Sequence, residues 1–484
     1  MSTMRIPESI TGSAGAPSGA HRRIVEQICS RWPENRPGPS LERISALCEL
    51  LGSPQHAAPV IQITGTNGKG STAIIIDSLL RAMGLRTGRF TSPHLQDISE
   101  RICIDGRPIS SARFDDIWHQ IEPMVAMVDE QQLGGIAMTF FEVMTGMAFA
   151  AFADAPVDVM VMEVGMGGRW DATNVADASV AVVGPVGLDH MEYLGDTIAQ
   201  IAAEKAGIIK AGSIAVLADQ EPQAAMVLQE RCLEVGVPMV REGVDFGLLD
   251  RQLAVGGQLV QIQTASGPIA DLHLPLYGAH MAHNAAVSVA AVEAFLGGKG
   301  LEPKLIETGF AQVKAPARLE TVHREPTVVL DTCHNPQGAQ ATMAALSEAF
   351  DINPLVGVVA MMSDKQVDAV LGIFEESMDS IVVTKVSDSP RAMPVDELAE
   401  IAEDIFGSAR VHRAQDVATA LDAAMNLAQA GGERGGVLVA GSVWLAGQAR
   451  ELLGVTGDQR SADPLQFSVA DAPEPPADAG PGRN

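Results

Sequence analysis

The stretch that decides the fold is VIQITGTNGKGST, residues 60–72. Its short apolar, β-branched opening is typical of a buried parallel strand. A turn with three glycines and Lys69 follows, and residues 73–83 have the composition of a helix. Strand, turn and helix together make an anion site, because backbone N–H groups and the positive helix end face the anion and the lysine adds a charge. We therefore predict a phosphate-binding loop formed by Thr66, Asn67, Gly68, Lys69, Gly70 and Ser71.

The spacing of this loop departs from the G-x-x-x-x-G-K-[ST] pattern. Only two residues separate Gly65 from Gly68, and Gly70 follows the lysine. The alternative is a glycine-rich turn that holds no ligand. The combination of strand, lysine and helix favours phosphate binding.

The length and the net charge of the chain limit the classes of protein to which it can belong. A chain of 484 residues is too long for one ordinary core, so two domains are expected. The hydrophobic content of 46% and charged content of 19% are typical of a globular protein. A net charge of −27 argues against nucleic acid as a partner, because phosphate backbones require a basic face. An anionic substrate would need local basic clusters.

The cysteines and the N-terminus indicate a compartment. Five cysteines are scattered through the chain without a C-x-x-C pair, which favours a reducing cytoplasm over a disulfide framework or a zinc site. The first twenty residues lack the apolar core of a signal peptide, and no apolar run has the length of a bilayer span. We predict a cytoplasmic protein with no membrane partner.

A second strand is predicted over residues 157–164 and ends at a glycine-rich loop. Glu163 lies at its carboxyl end, where α/β folds place metal ligands. A third strand, residues 179–183, leads to Asp189 and His190. Strands that alternate with helices predict a doubly wound parallel sheet whose strand ends converge on one edge.

A helix is predicted over residues 198–209, with Asp196 or Thr197 as its cap. Lys205 lies four residues after Ile201 and therefore on the apolar face. Burial there would lower the pKa of Lys205 and make a free amine available. A neutral amine can react with carbon dioxide to give a carbamate, which is an anionic metal ligand. The alternative is that Lys205 extends to solvent or pairs with a carboxylate.

The remaining sequence completes an α/β fold class. We predict a mostly parallel, P-loop-type sheet domain with a small antiparallel sheet at residues 245–276, followed by a second, smaller Rossmann-like α/β domain. Residues 314–318 are predicted to form the hinge between them. Asn284, at a helix start, is either a cap or a nucleotide contact. The predicted boundaries are a disordered N-terminus at 1–20, the two domains at 21–313 and 314–454, and a disordered tail at 455–484.

Six motifs occur in the order found in the folylpolyglutamate synthase/dihydrofolate synthase family of the Mur ligase superfamily, which the chain resembles from about residue 40 to residue 442. They are GTNGKGS at 65–71, TSPHL at 91–95, EVGMGGRWDATN at 163–174, LDH at 188–190, EKAGI at 204–208 and DTCHNP at 331–336. The resemblance implies an ATP-dependent ligase that adds L-glutamate to dihydropteroate, to the γ-carboxylate of reduced folates, or to both. An acyl phosphate would be the intermediate, and ADP and phosphate the products. It also implies two Mg²⁺ ions, and we expect a monomer.

The same resemblance implies roles for individual residues. Lys69 and the loop amides would hold the β- and γ-phosphates, Ser92 and Glu163 would bind one Mg²⁺, and His190 would bind the second. Lys205 would be carbamylated and support the metal cluster. The implied ATP contacts are Asn284, Arg318 and Asp331, and the implied catalytic residues are Lys69, His190, Lys205 and Arg318. The implied residues for the acceptor substrate and glutamate are Leu41, Ile44, Asp171, His334, Lys365 and Ser442.

Some positions differ from the family pattern, and two rival functions stay open. Ala317 replaces a usual glycine before Arg318, residues 332–333 replace Gly-Ala, and residues 184–186 are unusual.

One rival is a UDP-muramyl amino-acid ligase of the same superfamily, which we expect to carry a further uridine-nucleotide domain before its phosphate loop. The other is a non-catalytic P-loop switch, which would not need His190 and Lys205.

Overall fold

The structure, a computed structural model, describes residues 19–33, 38–387, 389 and 391–455. The predicted disordered segments therefore lie outside the described residues, except at their inner ends. Residues 19 and 20 begin the first helix, α1 (Gly19–Cys29), and residue 455 follows the last one.

The first sheet has eight strands, six of which run parallel. Their spatial order is β4-β3-β2-β5-β1-β6-β7-β8, and β3 and β4 form an antiparallel edge. The strands are β1 (Val60–Thr64), β2 (Thr87–Phe90), β3 (Ile102–Ile104), β4 (Arg107–Pro108), β5 (Val159–Glu163), β6 (Val180–Val183), β7 (Ile214–Leu217) and β8 (Met239–Arg241).

Helices cover both faces of this sheet. Alternate residues of β1 point to opposite faces, so that Ile61 and Ile63 pack in one hydrophobic cluster and Val60 packs in another. The helices of this half are α2 (Glu42–Leu50), α3 (Lys69–Ala82), α4 (Ser111–Glu130), α5 (Phe140–Asp154), α6 (Met191–Leu194), α7 (Ile198–Lys205), α8 (Pro222–Val235), α9 (Ala279–Phe295) and α10 (Pro303–Ala311).

A three-stranded antiparallel sheet lies between β8 and α9 in the chain. Its strands are β9 (Gly247–Ala254), β10 (Gly257–Thr264) and β11 (Gly267–Leu274), with β10 in the centre. Inward residues such as Val260 and Leu272 join the cluster that contains β1 and α9. The antiparallel hairpins predicted for residues 245–276 are thereby confirmed.

The second large sheet has six strands in the order β12-β13-β17-β14-β15-β16, all parallel except the edge strand β12. Successive residues of β13 again point to opposite faces of the sheet, so that Val328 and Val329 pack in different hydrophobic clusters. The strands are β12 (Glu320–Arg324), β13 (Thr327–Leu330), β14 (Leu355–Val359), β15 (Ser380–Val383), β16 (Val411–Arg413) and β17 (Gly436–Ala440). The helices are α11 (Pro336–Ala349), α12 (Val367–Glu375), α13 (Val395–Phe406), α14 (Val417–Ala430) and α15 (Val443–Leu452).

The predicted fold class is confirmed, and the differences are local. Helix α3 begins at Lys69 rather than at residue 73, because Gly68 forms its left-handed N-cap at φ 80°. Helix α7 ends at Lys205 and continues as a 3₁₀ turn, and Thr197 rather than Asp196 caps it. Six short strands were not predicted: β3, β4, β7, β8, β12 and β16. No helix in the part of the chain that the structure describes has both the length and the apolar content to cross a membrane.

Candidate functional site

A cavity of about 1200 Å³ lies where strand ends of the two large sheets face each other. Loops after β1, β5 and β6 form one side, and loops after β13, β14 and β17 form the other. Strand ends of α/β sheets are the usual place for a ligand. The predicted residues that line it are Thr66, Asn67, Gly68, Lys69, Gly70, Ser71, Ser92, Glu163, Asp171, His190, Asn284, Arg318, Asp331, His334, Lys365 and Ser442.

The loop after β1 has the geometry of an anion site. Lys69 Nζ donates to the carbonyl oxygens of Gly65 (3.1 Å) and Thr66 (3.3 Å), which holds the ammonium over the turn. Gly68 has no side chain, and a Cβ added there would lie only 2.7 Å from Oδ1 of Asn284. The glycine therefore allows Asn284, a residue of helix α9, to pack directly on the loop. Burial lowers the pKa of Lys69, although the carboxylates of Glu163 and Asp189 oppose that shift. This end of the cavity is suited to a polyphosphate.

Lys205 lies beneath that loop and does not line the cavity. Its Nζ donates to the carbonyl oxygen of Gly65 at 2.8 Å, and the residue is 4% exposed. Burial, reinforced by the positive charge of Lys69, lowers the pKa of Lys205 to about 7. The side chain does not reach solvent, and no carboxylate among the described residues forms an ion pair with it. With a pKa of about 7, part of its population is neutral amine near pH 7.

Glu163 and Ser92, which the family resemblance implies as ligands of one Mg²⁺, are adjacent in the structure. Glu163 Oε2 accepts from the backbone N–H of Ser92 at 2.9 Å, and a Cβ at Gly70 of the phosphate loop would lie 3.5 Å from the same oxygen. Burial raises the pKa of Glu163, while Lys69 lowers it. Within residues 19–33, 38–387, 389 and 391–455, no three His, Cys, Asp or Glu side chains are grouped as metal ligands. A divalent cation beside Glu163 would thus take most of its oxygens from phosphate and water, as Mg²⁺ commonly does.

Asp189 lines the cavity, and the sequence analysis did not predict it as a site residue. Its carboxylate pairs with Lys365 Nζ at 2.7 Å and lies 3.8 Å from Nε2 of both His190 and His334. Burial would raise the pKa of Asp189, but His190, Lys365 and His334 together hold it well below the usual range. Asp189 directly precedes His190 in the LDH motif, which was the available signal. The carboxylate joins the two sides of the cavity.

The side of the cavity formed by the second sheet carries basic and hydroxyl groups. His334 Nδ1 lies 2.9 Å from the carbonyl oxygen of Thr332, and burial lowers the pKa of His334 to about 4. Ser442 Oγ is buried and has no hydrogen-bond partner in the structure. A buried hydroxyl without a partner is costly, so this atom is available to a ligand. His334, Lys365 and Ser442 line the same cavity, and their role in binding substrate stays a prediction.

Two predicted ligand-binding carboxylates are engaged within the protein. Asp171 accepts from the N–H groups of Met166 and Thr173 and from the Thr173 hydroxyl, and burial raises its pKa to about 6. Asp331 accepts from the N–H groups of Leu319 and Cys333 and from the hydroxyl of Thr342. Both shape the loops that line the cavity.

Leu41 and Ile44 are not brought to the cavity. Ile44 is fully buried and belongs to the hydrophobic core. It packs against α5, where a Cβ added to Gly146 would lie 3.8 Å from the Ile44 Cδ1 atom. Leu41 is the N-cap of α2, with Ser40 Oγ accepting from the N–H of Glu42. Two aromatic residues that were not predicted, Phe141 and Trp170, line the cavity instead.

Two family models match the chain. The Mur ligase middle domain matches residues 120–292, and the Mur ligase glutamate ligase domain matches residues 317–443. These segments contain the carboxyl ends of β5 and β6 and all six strands of the second sheet. The fold and the site thus define a ligase of the Mur type.

Individual relatives narrow this class. The dihydrofolate synthase/folylpolyglutamate synthase of Mycobacterium tuberculosis is 48% identical over 456 residues, which cover 89% of this chain and 93% of the relative. The Escherichia coli protein of the same description is 31% identical over 445 residues, which cover 92% and 97%. The structure of Mycobacterium tuberculosis folylpolyglutamate synthase complexed with ADP has a TM-score of 0.86 at 47% identity, and 90% of this chain and 98% of that chain are covered. The chain belongs to the folylpolyglutamate synthase/dihydrofolate synthase family.

Proposed function

We propose that the protein uses ATP to join L-glutamate to dihydropteroate and to the γ-carboxylate of folates, through an acyl phosphate that the glutamate amine attacks. The observation that carries this proposal is that a phosphate loop and a basic, hydroxyl-bearing surface share one cavity. Lys69 lines the side of this cavity formed by the first sheet, and Lys365, His334 and Ser442 line the side formed by the second sheet. Closure of the two sheets around bound substrates would also exclude water, which would otherwise hydrolyse an acyl phosphate.

ATP fits the phosphate-loop end. Lys69 and the N-terminus of α3 offer positive charge to phosphates, and Asn284 packs on the loop through Gly68. Arg318 approaches the same cavity from the hinge. Relatives of known structure contain ADP, which supports a nucleotide at this place. We propose Lys69 and Arg318 as the cations that offset the triphosphate charge of ATP, which the net charge of −27 would otherwise repel.

Two Mg²⁺ ions are proposed beside the phosphates. Glu163 and Ser92 would hold one of them and His190 the other, and the ions would neutralise phosphate charge. Support comes from the Glu163 carboxylate, which is already placed against both Ser92 and Gly70. Carbamylated Lys205 is proposed as a further anionic group, and its lowered pKa supports this modification because only neutral amine reacts.

Both glutamate acceptors are proposed for the same cavity. An Escherichia coli structure in complex with DHPP and ADP, 29% identical with a TM-score of 0.78 and coverage of 92% of this chain and 99% of that chain, shows that a relative binds both ligands together. Phe141 and Trp170 offer flat apolar surface for a ring substrate near Asp171.

We also propose a cytoplasmic monomer, with the domain boundary at residues 313–314.

The test is an assay of ADP release with dihydropteroate and with tetrahydrofolate, each with and without L-glutamate. We expect release to require glutamate with both acceptors. The Lys69→Ala variant should be inactive, and Lys304→Ala, which removes a surface lysine paired with Glu307, should match the unaltered enzyme. Activity with a UDP-muramyl substrate instead, or ADP release that ignores every acceptor, would overturn the proposal.

A further inference from the structure

Arg318 lies on an unusual bend. The residues before and after it, Ala317 and Leu319, both have left-handed backbone conformations, with φ of 52° and 47°. Residues with a side chain rarely adopt this region, so the surrounding structure must hold the bend in place. The N–H of Ala317 donates to Glu320 Oε2 at 2.7 Å, and the N–H of Leu319 donates to Asp331 Oδ2 at 3.0 Å. Two carboxylates thus hold the backbone on each side of Arg318.

One of these carboxylates is held by a buried arginine. Arg450 of α15 forms an ion pair with Glu320, and the two side chains are 1% and 14% exposed. A guanidinium at such depth requires a partner, because an unpaired buried charge is very costly. Glu320 Oε2 therefore has two donors, the Ala317 N–H and Arg450 Nη1. The position of Arg450 constrains the position of the bend.

Arg450 also reaches the loop that contains Ser92. Its Nε donates to Gln96 Oε1 at 3.2 Å. On the same helix, a Cβ at Gly447 would lie 2.0 Å from the carbonyl oxygen of Leu95, so the glycine allows α15 to pack directly on the loop backbone. Arg450 therefore connects a loop of the first sheet with the bend that carries Arg318.

We propose that Glu320 and Arg450 are positioning residues for Arg318. Their ion pair holds the bend at residues 317–319 and presents the Arg318 guanidinium to the cavity, and Gln96 ties that bend to the Ser92 loop. The proposal rests on the proposed function only in that Arg318 contacts the nucleotide. Neither Glu320 nor Arg450 lines the cavity, so both act through Arg318.

A double-mutant cycle tests this role. The four proteins are the unaltered enzyme, Glu320→Gln, Arg318→Ala and the double variant, each measured for kcat/KM with ATP and for ADP affinity by calorimetry. We expect Glu320→Gln to lower both quantities about tenfold in the unaltered background and to have no further effect once Arg318 is absent, because residues that act as one unit are not additive. An equal loss in both backgrounds would show that Glu320 only stabilises the fold, and would overturn the proposal.

Controls separate this result from other failures. Glu325→Gln removes an exposed carboxylate from the same β12–β13 hairpin and should leave both quantities unchanged. Removing one partner of a buried ion pair can prevent folding, so the cycle is repeated with Gln96→Ala. Gln96 is exposed, and its loss removes only the acceptor of Arg450 Nε. We expect kcat/KM and ADP affinity to fall twofold to threefold in the unaltered background and not to change in the Arg318→Ala background. An additive result in this second cycle would equally count against the proposal. If glutamate-dependent ADP release is absent from the unaltered enzyme, the proposed function fails, while calorimetry with ADP still decides the positioning role.

Discussion

The Nζ atom of Lys365 lies 2.7 Å from Oδ1 of Asp189, and this ion pair joins residues 176 positions apart across the cavity. Both side chains are largely buried, at 7% and 11% exposure. Lys365 is among the residues implied for the acceptor substrate and glutamate, and Asp189 directly precedes His190, a proposed metal ligand. The Asp189 carboxylate therefore links a proposed substrate residue from the second sheet with a proposed metal ligand from the first.

Asp189→Asn should lower the free energy of unfolding by about 3 kcal/mol at pH 7, because it leaves the Lys365 ammonium buried without its partner. Since the folded-state pKa of Asp189 is depressed, its stabilising contribution is present above the unfolded value near pH 4 and is lost as the pH falls below it. Urea unfolding at pH 7 and at pH 3 measures both effects. The control is Asp351→Asn, which breaks an exposed pair with Arg434 and should cost less than about 1 kcal/mol. Equal losses for the two variants would contradict the prediction.

Glu163→Gln should abolish most activity without lowering the melting temperature. The amide oxygen can still accept from the N–H of Ser92, and burial already disfavours the charged carboxylate. His190→Ala should reduce activity similarly, and in both variants high Mg²⁺ should restore part of the rate. Kinetics over a range of Mg²⁺ concentrations, together with Mn²⁺ binding in the presence of ADP, test this. Unchanged Mn²⁺ affinity in both variants would argue against the metal assignment.

Asp171→Ala should damage the reactions with dihydropteroate and with folate by the same factor. The carboxylate organises the loop after β5 through Met166 and Thr173, so its removal leaves buried donors without acceptors and should cost about 2–3 kcal/mol of stability. A direct contact with the pterin would instead make the dihydropteroate reaction the more sensitive one. Parallel kinetics with the two acceptors, with thermal unfolding of the same samples, distinguish these outcomes.

Lys205 should carry a carbamate, and the amount should rise with pH. Because burial lowers the pKa of Lys205 to about 7, the neutral fraction increases as the pH rises through 7, and only that fraction reacts with carbon dioxide. Carbon-13 NMR with labelled bicarbonate should show a carbamate signal that grows between about pH 6 and pH 8 and is absent in Lys205→Ala. Acetate or formate should restore part of the activity of that variant. A signal that persists in Lys205→Ala would assign the carbamate to another amine.

Ala317→Gly should raise the free energy of unfolding by about 0 to 1.6 kcal/mol. An alanine in the left-handed region costs roughly 1–2 kcal/mol, and the greater flexibility of glycine in the unfolded chain cancels about 0.4–1 kcal/mol of the gain. Urea unfolding measures the change. Ala315→Gly, at the same hinge but not among the residues with positive φ, should be neutral or destabilising. A destabilised Ala317→Gly would show that the Cβ packing of Ala317, which is fully buried, outweighs its backbone strain.

Several elements that depend on local sequence were predicted correctly. An apolar strand, a glycine turn and a helix follow one another within residues 60–83, as short-range periodicity and turn chemistry predicted, whereas phosphate binding by that turn stays a prediction. The placement of Glu163 at a strand end and of Lys205 on an apolar helix face follows from the same kind of pattern. In each case the physical cause lies within a few residues of its effect.

Only the tertiary structure decided which distant groups meet. The sequence placed Asp189 beside His190 but could not show Lys365 against it, because that contact depends on how two sheets pack. Ile44 has helical spacing that is equally consistent with a core position and with a ligand contact, and packing against α5 put it in the core. The bend at Ala317 is likewise held by carboxylates from β12 and from the end of β13. Local periodicity determines the elements, whereas the partner of a buried charge is selected by desolvation in the assembled fold.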